Sequence, residues 1–259
     1  MLTRRSVVPC FSLVFLISGF TFAAEPSWGN LKMRFQYDGK APDLRALTIN
    51  KDEAVCGKEK SFDESLLVNE KNGGLASVIV WLEVKEDQKL PKEHADHVAA
   101  AKKEVELEVV KCKFQPRVSL LRTNQTLLVT NRDPMAHNEY ILSLANRRYA
   151  ATIQASGVNR HAFEKADQAP ASILCNIHPW MAGWALIQAH PYMAFSNADG
   201  NLEVRNVPVG KWTFIARCHL AKPTGERLTE WKKGRFDVEI RPEGTDLGTI
   251  KLSSEVFKK

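Results

Sequence analysis

After its first two dozen residues the chain has no apolar run long enough to span a bilayer. It also has no long basic run, no repeat at a fixed period and no tract dense in histidine or methionine. Each absence excludes a class: a membrane-spanning protein, a nucleic-acid binder with its electrostatic footprint, a solenoid and a metal-handling tail. The opening run is itself too short to remain in a membrane. MLTRRSVVPCFSLVFLISGFTFAAEP places Arg4 and Arg5 before an apolar stretch from Cys10 to Phe22 and ends on Ala23 and Ala24. That is the pattern of a secretory signal peptide over residues 1–23, so the mature chain is expected in the periplasm or elsewhere in the cell envelope. Removing it takes Arg4 and Arg5 away and leaves 34 basic residues against 30 acidic ones, a net charge of +4 instead of +6.

Cysteine is scarce, with five in 259 residues. Cys10 leaves with the signal, and Cys56, Cys112, Cys175 and Cys218 remain. In an oxidising compartment each needs a disulfide partner, a metal or burial.

Helical periodicity is nearly missing too. Only PKEHADHVAAAKKEVE, residues 91–106, reads as a helix, with alanines and charges but little apolar stripe. Elsewhere the pattern has period two, as in LKMRFQY, LASVIVWLEV, TLLVTN, WALIQAH, NLEVRNV and RFDVEI. Turn pairs such as Asp38-Gly39, Gly73-Gly74, Asp199-Gly200 and Glu243-Gly244 bound these runs. The fold class is therefore all-β. The roughly 235 residues left after export fit one large or two to three small domains. The character of the chain changes at the charged segment and again at His190-Pro191. The expected units are an N-terminal β unit with its linker (24–103), a Greek-key sandwich (104–189), a small C-terminal β-sandwich (190–252) and a tail (253–259).

The densest chemistry lies in CNIHPWMAGW, residues 175–184, where Cys175, His178 and Met181 fall at i, i+3 and i+6 between two strand-like runs. Extended chain advances roughly 3.3 Å per residue, so only a folded loop brings these side chains together, and Pro179 and Gly183 suit a turn. A thiolate, an imidazole and a thioether meeting there attract copper. A trigonal site needs a second imidazole. Among the seven histidines His137, in LLVTNRDPMAHNEY just after a strand, is best placed to supply it.

NRDPMAHN followed downstream by CNIHPWM resembles the type 1 (blue) copper proteins, the cupredoxins, and the Cys-x-x-His-x-x-Met spacing is closest to their amicyanin branch. The resemblance covers about residues 104–189. It extends to KFQPRVSLLRTNQTLLVTN, although Asn124 stands where the family has glycine at a turn. It implies a Greek-key β-sandwich and one type 1 copper held by His137, Cys175, His178 and Met181, the methionine being the weak axial ligand. It also implies that Asn138 supports the Cys175 sulfur. His178 is expected to reach the surface in an apolar collar with Pro179 and Trp180, extended to Pro134, Met135 and Trp184, where a redox protein would dock. The flanks, LKMRFQYDGKAP and HPYMAFSNADGNLEVRNVPVGKWTFIARC, resemble carboxypeptidase regulatory-like, transthyretin-like β modules.

Each of these residues also has a plainer role to set against its functional one. Cys175 alone reads as a buried or disulfide-bonded cysteine, Met181 as core filler, and Trp180 and Trp184 as packing. His94 and His97 read as a solvated face, and His161, His190 and His219 as non-ligands, with His190 at the domain junction the first to reconsider. Cys56 with Cys112 is the favoured disulfide, since it would staple the first unit to the second. Pairing of either with Cys218 remains open. The functional expectation is an exported electron carrier with a single copper. The alternatives are copper storage or delivery, and a cell-envelope binding module. Copper oxidases and nitrite reductases build further sites from His-x-His pairs, and this chain has none, so an enzyme is not expected.

Overall fold

A computed structural model describes residues 27–218, 231 and 233–257. The expected signal peptide over 1–23, and His219, lie outside the described residues. The strands and short helices are, in chain order, β1 (Trp28–Asp38), α1 (Glu53–Cys56), β2 (Val78–Leu82), α2 (Ala95–Ala100), β3 (Val105–Val110), β4 (Lys113–Gln115), β5 (Val118–Arg122), β6 (Thr126–Asn131), β7 (His137–Leu142), β8 (Tyr149–Ile153), β9 (Val158–Ala162), β10 (Ala171–Leu174), β11 (Ala182–Gln188), β12 (Met193–Phe195), β13 (Asn201–Pro208), β14 (Gly210–Cys218), β15 (Arg235–Ile240) and β16 (Thr245–Ser253).

The middle of the chain forms a two-sheet sandwich. One sheet has the order β5-β11-β10-β7-β8 and the other β4-β3-β6-β9. Most pairs are antiparallel, while β3 with β6 and β5 with β11 run parallel. Alternation decides what faces inward: β6 buries Leu127, Val129 and Asn131, and β7 buries His137, Glu139 and Ile141. Of these, Leu127, Val129 and Ile141 join Leu107, Val109, Phe114, Leu121, Ile173, Ala185 and Ile187 in one core. Asn124, standing at the turn where glycine was expected, takes φ 72. Asparagine tolerates that left-handed conformation better than most residues.

The flanks are not two independent units. β1 pairs antiparallel with β13 and parallel with β16, and β2 pairs with both β12 and β14. Two sheets result, β13-β1-β16 and β12-β2-β14-β15, each built from both flanks. Leu31, Phe35, Val80 and Leu82 from the first flank share a core with Val204, Phe214, Ile240 and Leu252 from the second. The reason is elementary: a two-stranded fragment cannot bury an apolar face by itself. β2 also explains its unbroken apolar sequence, VIVWL. Val78, Val80 and Leu82 face this outer core, while Ile79 and Trp81 pack with Ile215 against Val118 and Leu186 of the middle sandwich. A strand covered on both faces has no polar side to show.

The expected helix over 91–106 shrinks to α2, six residues capped by the His94 ring and burying none of its own residues. Without an apolar stripe nothing holds the remainder against a core. Between β1 and β2 the chain is largely irregular and touches both cores, through Leu66 and Val68 on the outer one and Ile49 on the middle one. A disulfide between Cys56 in α1 and Cys112 ties this segment to the turn joining β3 and β4. The two pairings with Cys218 are thereby excluded; Cys218 is buried in β14.

Candidate metal centre

His137 opens β7 on its inward face and is fully buried. The loop before it is shaped by the Asn131 side chain, whose amide donates to the carbonyls of Met135 (2.7 Å), Ile153 (3.2 Å) and Gln154 (3.0 Å). Asp133, in that loop, has its two oxygens held by the backbone N–H groups of Lys111 (2.7 Å) and Cys112 (2.8 Å). Its Oδ2 also lies 3.0 Å from His137 Nε2. Burial first, and then the neighbouring His178, push the His137 pKa below the usual histidine range, against the opposing pull of Asp133. A neutral ring that donates its Nε2 proton to a carboxylate carries its lone pair on Nδ1. That Nδ1 is buried without a hydrogen-bond partner. An unpaired buried polar atom is costly unless something occupies it.

Cys175 follows β10 directly, and the loop it begins returns into β11 at Ala182. Its buried sulfur accepts the backbone N–H groups of Asn138 (3.3 Å) and His178 (3.4 Å), and His178 Nδ1 stands 3.7 Å away. The expected support from Asn138 is thus present, supplied by its backbone. Its side chain bonds the Ala151 carbonyl at 2.8 Å and receives the Asn176 N–H at 3.4 Å, joining the loop to β8. The rings of His137 and His178 lie 4.6 Å apart, centroid to centroid. One ligating atom each from His137, Cys175 and His178 falls within 4.8 Å of the other two. Met181 is buried in the same loop and its N–H bonds the His178 carbonyl at 2.9 Å, closing the turn.

His178 is the main correction. Its ring does not emerge in a collar; it is fully buried, and its Nε2 lies 2.7 Å from Oδ2 of Asp52 in the segment between β1 and β2. Pro179 is exposed and Trp180 half-buried beside it, but Trp184 lies under the Arg117 guanidinium, 4.6 Å from the ring centre, and so belongs to no exposed collar. The two imidazoles are therefore set alike. Each Nε2 meets a carboxylate, which leaves each Nδ1 for the space beside the sulfur.

Two imidazole nitrogens and a cysteine sulfur in a buried pocket, with a methionine in the same loop, are the donor types of a blue-copper site. A second grouping, Cys112 with Asp133 and His137, does not fit a metal, because Cys112 is in the disulfide and Asp133 is already occupied by backbone N–H groups. The other described histidines have different work. His94 Nδ1 accepts the Asp96 N–H, His97 bonds the Arg205 carbonyl, His161 lies 2.5 Å from the buried Glu139, and His190 Nδ1 accepts the Tyr192 N–H.

The solved structures to which the chain is similar include amicyanin variants, a purple cupredoxin and a copper-containing nitrite reductase. An amicyanin variant in its reduced Cu(I) form at pH 4 aligns at 18% identity over 39% of this chain and 97% of its own, with a TM-score of 0.30. A purple cupredoxin from Nitrosopumilus maritimus aligns at 15% identity over 33% of this chain and 100% of its own, with a TM-score of 0.29. A copper-containing nitrite reductase from Thermus scotoductus SA-01 aligns at 16% identity and a TM-score of 0.30, over 41% of this chain but only 25% of its own. No family model matches the chain, and no curated protein matches it. Among the described residues no helix is long and apolar enough to cross a membrane.

Sequence alone assigns no part to Asp52 or Asp133. Asp133 sits inside the NRDPMAHN motif, four residues before His137, so its signal was present. Asp52 has none, because its contact depends on where an irregular segment crosses the middle sandwich.

Proposed function

We propose that the chain is an exported one-electron carrier with a single copper, held by Nδ1 of His137, Nδ1 of His178 and the thiolate of Cys175, with the Met181 thioether as the weak axial donor. The observation that carries this reading is that His137 Nδ1 is buried without a hydrogen-bond partner in a ring with one nitrogen within 4.8 Å of ligating atoms of Cys175 and His178. Copper would supply the redox couple, and a trigonal nitrogen and sulfur set with a distant thioether suits both of its oxidation states. The protein's part is to hold that set still. Asp133 and Asp52 fix the imidazoles, and two N–H groups stabilise the sulfur as thiolate. Four protein donors leave no open position for a substrate, unlike a catalytic metal site, which favours a carrier over an enzyme. The compartment follows from the signal-like first 23 residues and agrees with a disulfide in the fold.

Adding one equivalent of Cu(II) to the purified chain is expected to give the intense blue colour of thiolate-bound copper, and Cys175→Ala is expected to abolish it. A folded wild-type protein that takes up copper without colour contradicts the proposal. A second reading, copper storage or delivery, is favoured by one feature: His178 is closed off by Asp52. The two readings part on whether reduction releases the metal, since a carrier of copper surrenders Cu(I) to a chelator and a carrier of electrons retains it.

A further inference from the structure

Asp52 departs from the ordinary behaviour of an aspartate at the start of a helix. It occupies the N-cap of α1 with φ 49 and ψ 41, a left-handed conformation that aspartate adopts more readily than most residues other than glycine. Such an aspartate ordinarily turns its carboxylate back onto the first N–H groups of its own helix. Here it makes no such bond. The carboxylate reaches across to His178 Nε2 at 2.7 Å, a partner distant in sequence.

Two further observations converge on this contact. The Asp52 side chain is 39% exposed while the His178 side chain is 0% exposed, so the carboxylate is the group between imidazole and solvent. Four residues after Asp52, Cys56 is bonded to Cys112, whose own N–H holds Asp133 against His137. The same cross-link therefore sits behind both carboxylates and both imidazoles.

We propose that Asp52 is a positioning residue for the metal centre and the gate to it. It keeps the His178 proton on Nε2 and the lone pair on Nδ1, aimed beside Cys175. It also stands where a redox partner would otherwise touch the imidazole edge, so that electrons pass by way of the Asp52 carboxylate and the exposed residues around it. This rests on the copper reading above. Asp52, Asp133 and Cys175 are three acidic side chains gathered at one site, and negative charge there favours the doubly charged state of the metal over the singly charged one. Removing one of these charges narrows that preference.

The test compares the wild type with Asp52→Asn, which keeps an acceptor and loses the charge, and with Asp52→Ala, which removes both. In the metal-free protein, nitrogen NMR of the His178 ring is expected to show the Nε2–H tautomer in the wild type and a mixture in Asp52→Ala. In the copper-loaded protein, Asp52→Asn is expected to lower the ratio of Cu(II) to Cu(I) affinity about tenfold, read as a rise in potential of about 59 mV. Capture of Cu(I) by a chelator should run at least about tenfold faster in Asp52→Ala, by analogy with the usual cost of losing a ligand's hydrogen-bond partner. Asp52→Asn should lie closer to the wild type in chelator access than in potential. Tautomer, potential and chelator rate all unchanged in folded variants would overturn the proposal. A wild type that binds no copper would overturn the electron-carrier reading itself, while the NMR comparison would still read the Asp52 to His178 contact.

Discussion

Single residues in this protein act through the protons they hold or lack. In His137 and His178 a carboxylate meets each Nε2, which leaves each Nδ1 for the copper that we propose. His190 is buried for another purpose: it accepts the Tyr192 N–H and stacks on that ring, 5.7 Å between centroids. Burial pushes its pKa down to about 4. In the unfolded chain a histidine titrates near 6.5. Between those values the unfolded state binds a proton that the native state refuses. The stability tied to a neutral His190 is therefore full above about pH 6.5 and declines as the pH falls toward 4, by an amount on the order of 3 kcal/mol. Urea denaturation of the wild type and His190→Gln at pH 7, 6, 5 and 4 checks this. The variant should show a shallower decline, and parallel curves would refute the assignment.

At the scale of elements, the irregular segment between β1 and β2 matters more than its lack of regular structure suggests. It carries Asp52 over His178, it reaches both cores, and its disulfide ends on the turn that holds Asp133. Lys111 and Cys112 in that turn have φ 53 and 55. This conformation is uncommon outside glycine, and it directs two successive N–H groups to one carboxylate. Replacing both Cys56 and Cys112 by serine is expected to cost about 2 to 4 kcal/mol of stability. It should also speed hydrogen exchange at the backbone N–H groups of positions 111 and 112, which would show the segment and the turn loosening together. A loss of stability with unchanged exchange there would separate the cross-link from the site. Within the outer sandwich, β2 is the strand most exposed to a test of packing. Leu82→Ala removes a fully buried side chain and should cost about 2 to 5 kcal/mol in chemical denaturation.

The whole molecule is two sandwiches, of which the outer one is assembled from chain ends that lie before and after the middle one. A chain stopped at residue 189 would leave β1 and β2 without β12, β13, β14 and β16, and would remove Ile215 from the cluster with Val118 and Leu186. Such a truncation is expected to lose protection from hydrogen exchange throughout β1 and β2. Retained protection in those strands would mean that they can form a stable unit unaided.

This organisation also explains what the sequence made legible. Period-two runs reveal strands because side chains alternate within a strand, and the candidate donors are legible because Cys175, His178 and Met181 lie in one loop and His137 in a recognisable motif. The pairing of β1 with β13 and β16 is not legible, since nothing local in LKMRFQY specifies partners so far along the chain. LASVIVWLEV reads as a period-two run, whereas the structure buries all five residues of VIVWL, and nothing local says what would cover the second face. Asp52 was invisible for the same reason: a charged residue in a polar stretch acquires its partner only through tertiary crossing.

The central claim is that two imidazole nitrogens and one thiolate sulfur, from His137, His178 and Cys175, converge on one copper ion. X-ray absorption at the copper edge of the loaded full-length chain tests it most directly, because the method counts and types the nearest atoms. The account predicts one copper per chain with two nitrogens and a single sulfur as its near neighbours, the sulfur disappearing in Cys175→Ala. A first shell of nitrogen and oxygen alone in the wild type, or a sulfur that persists after that substitution, would contradict it.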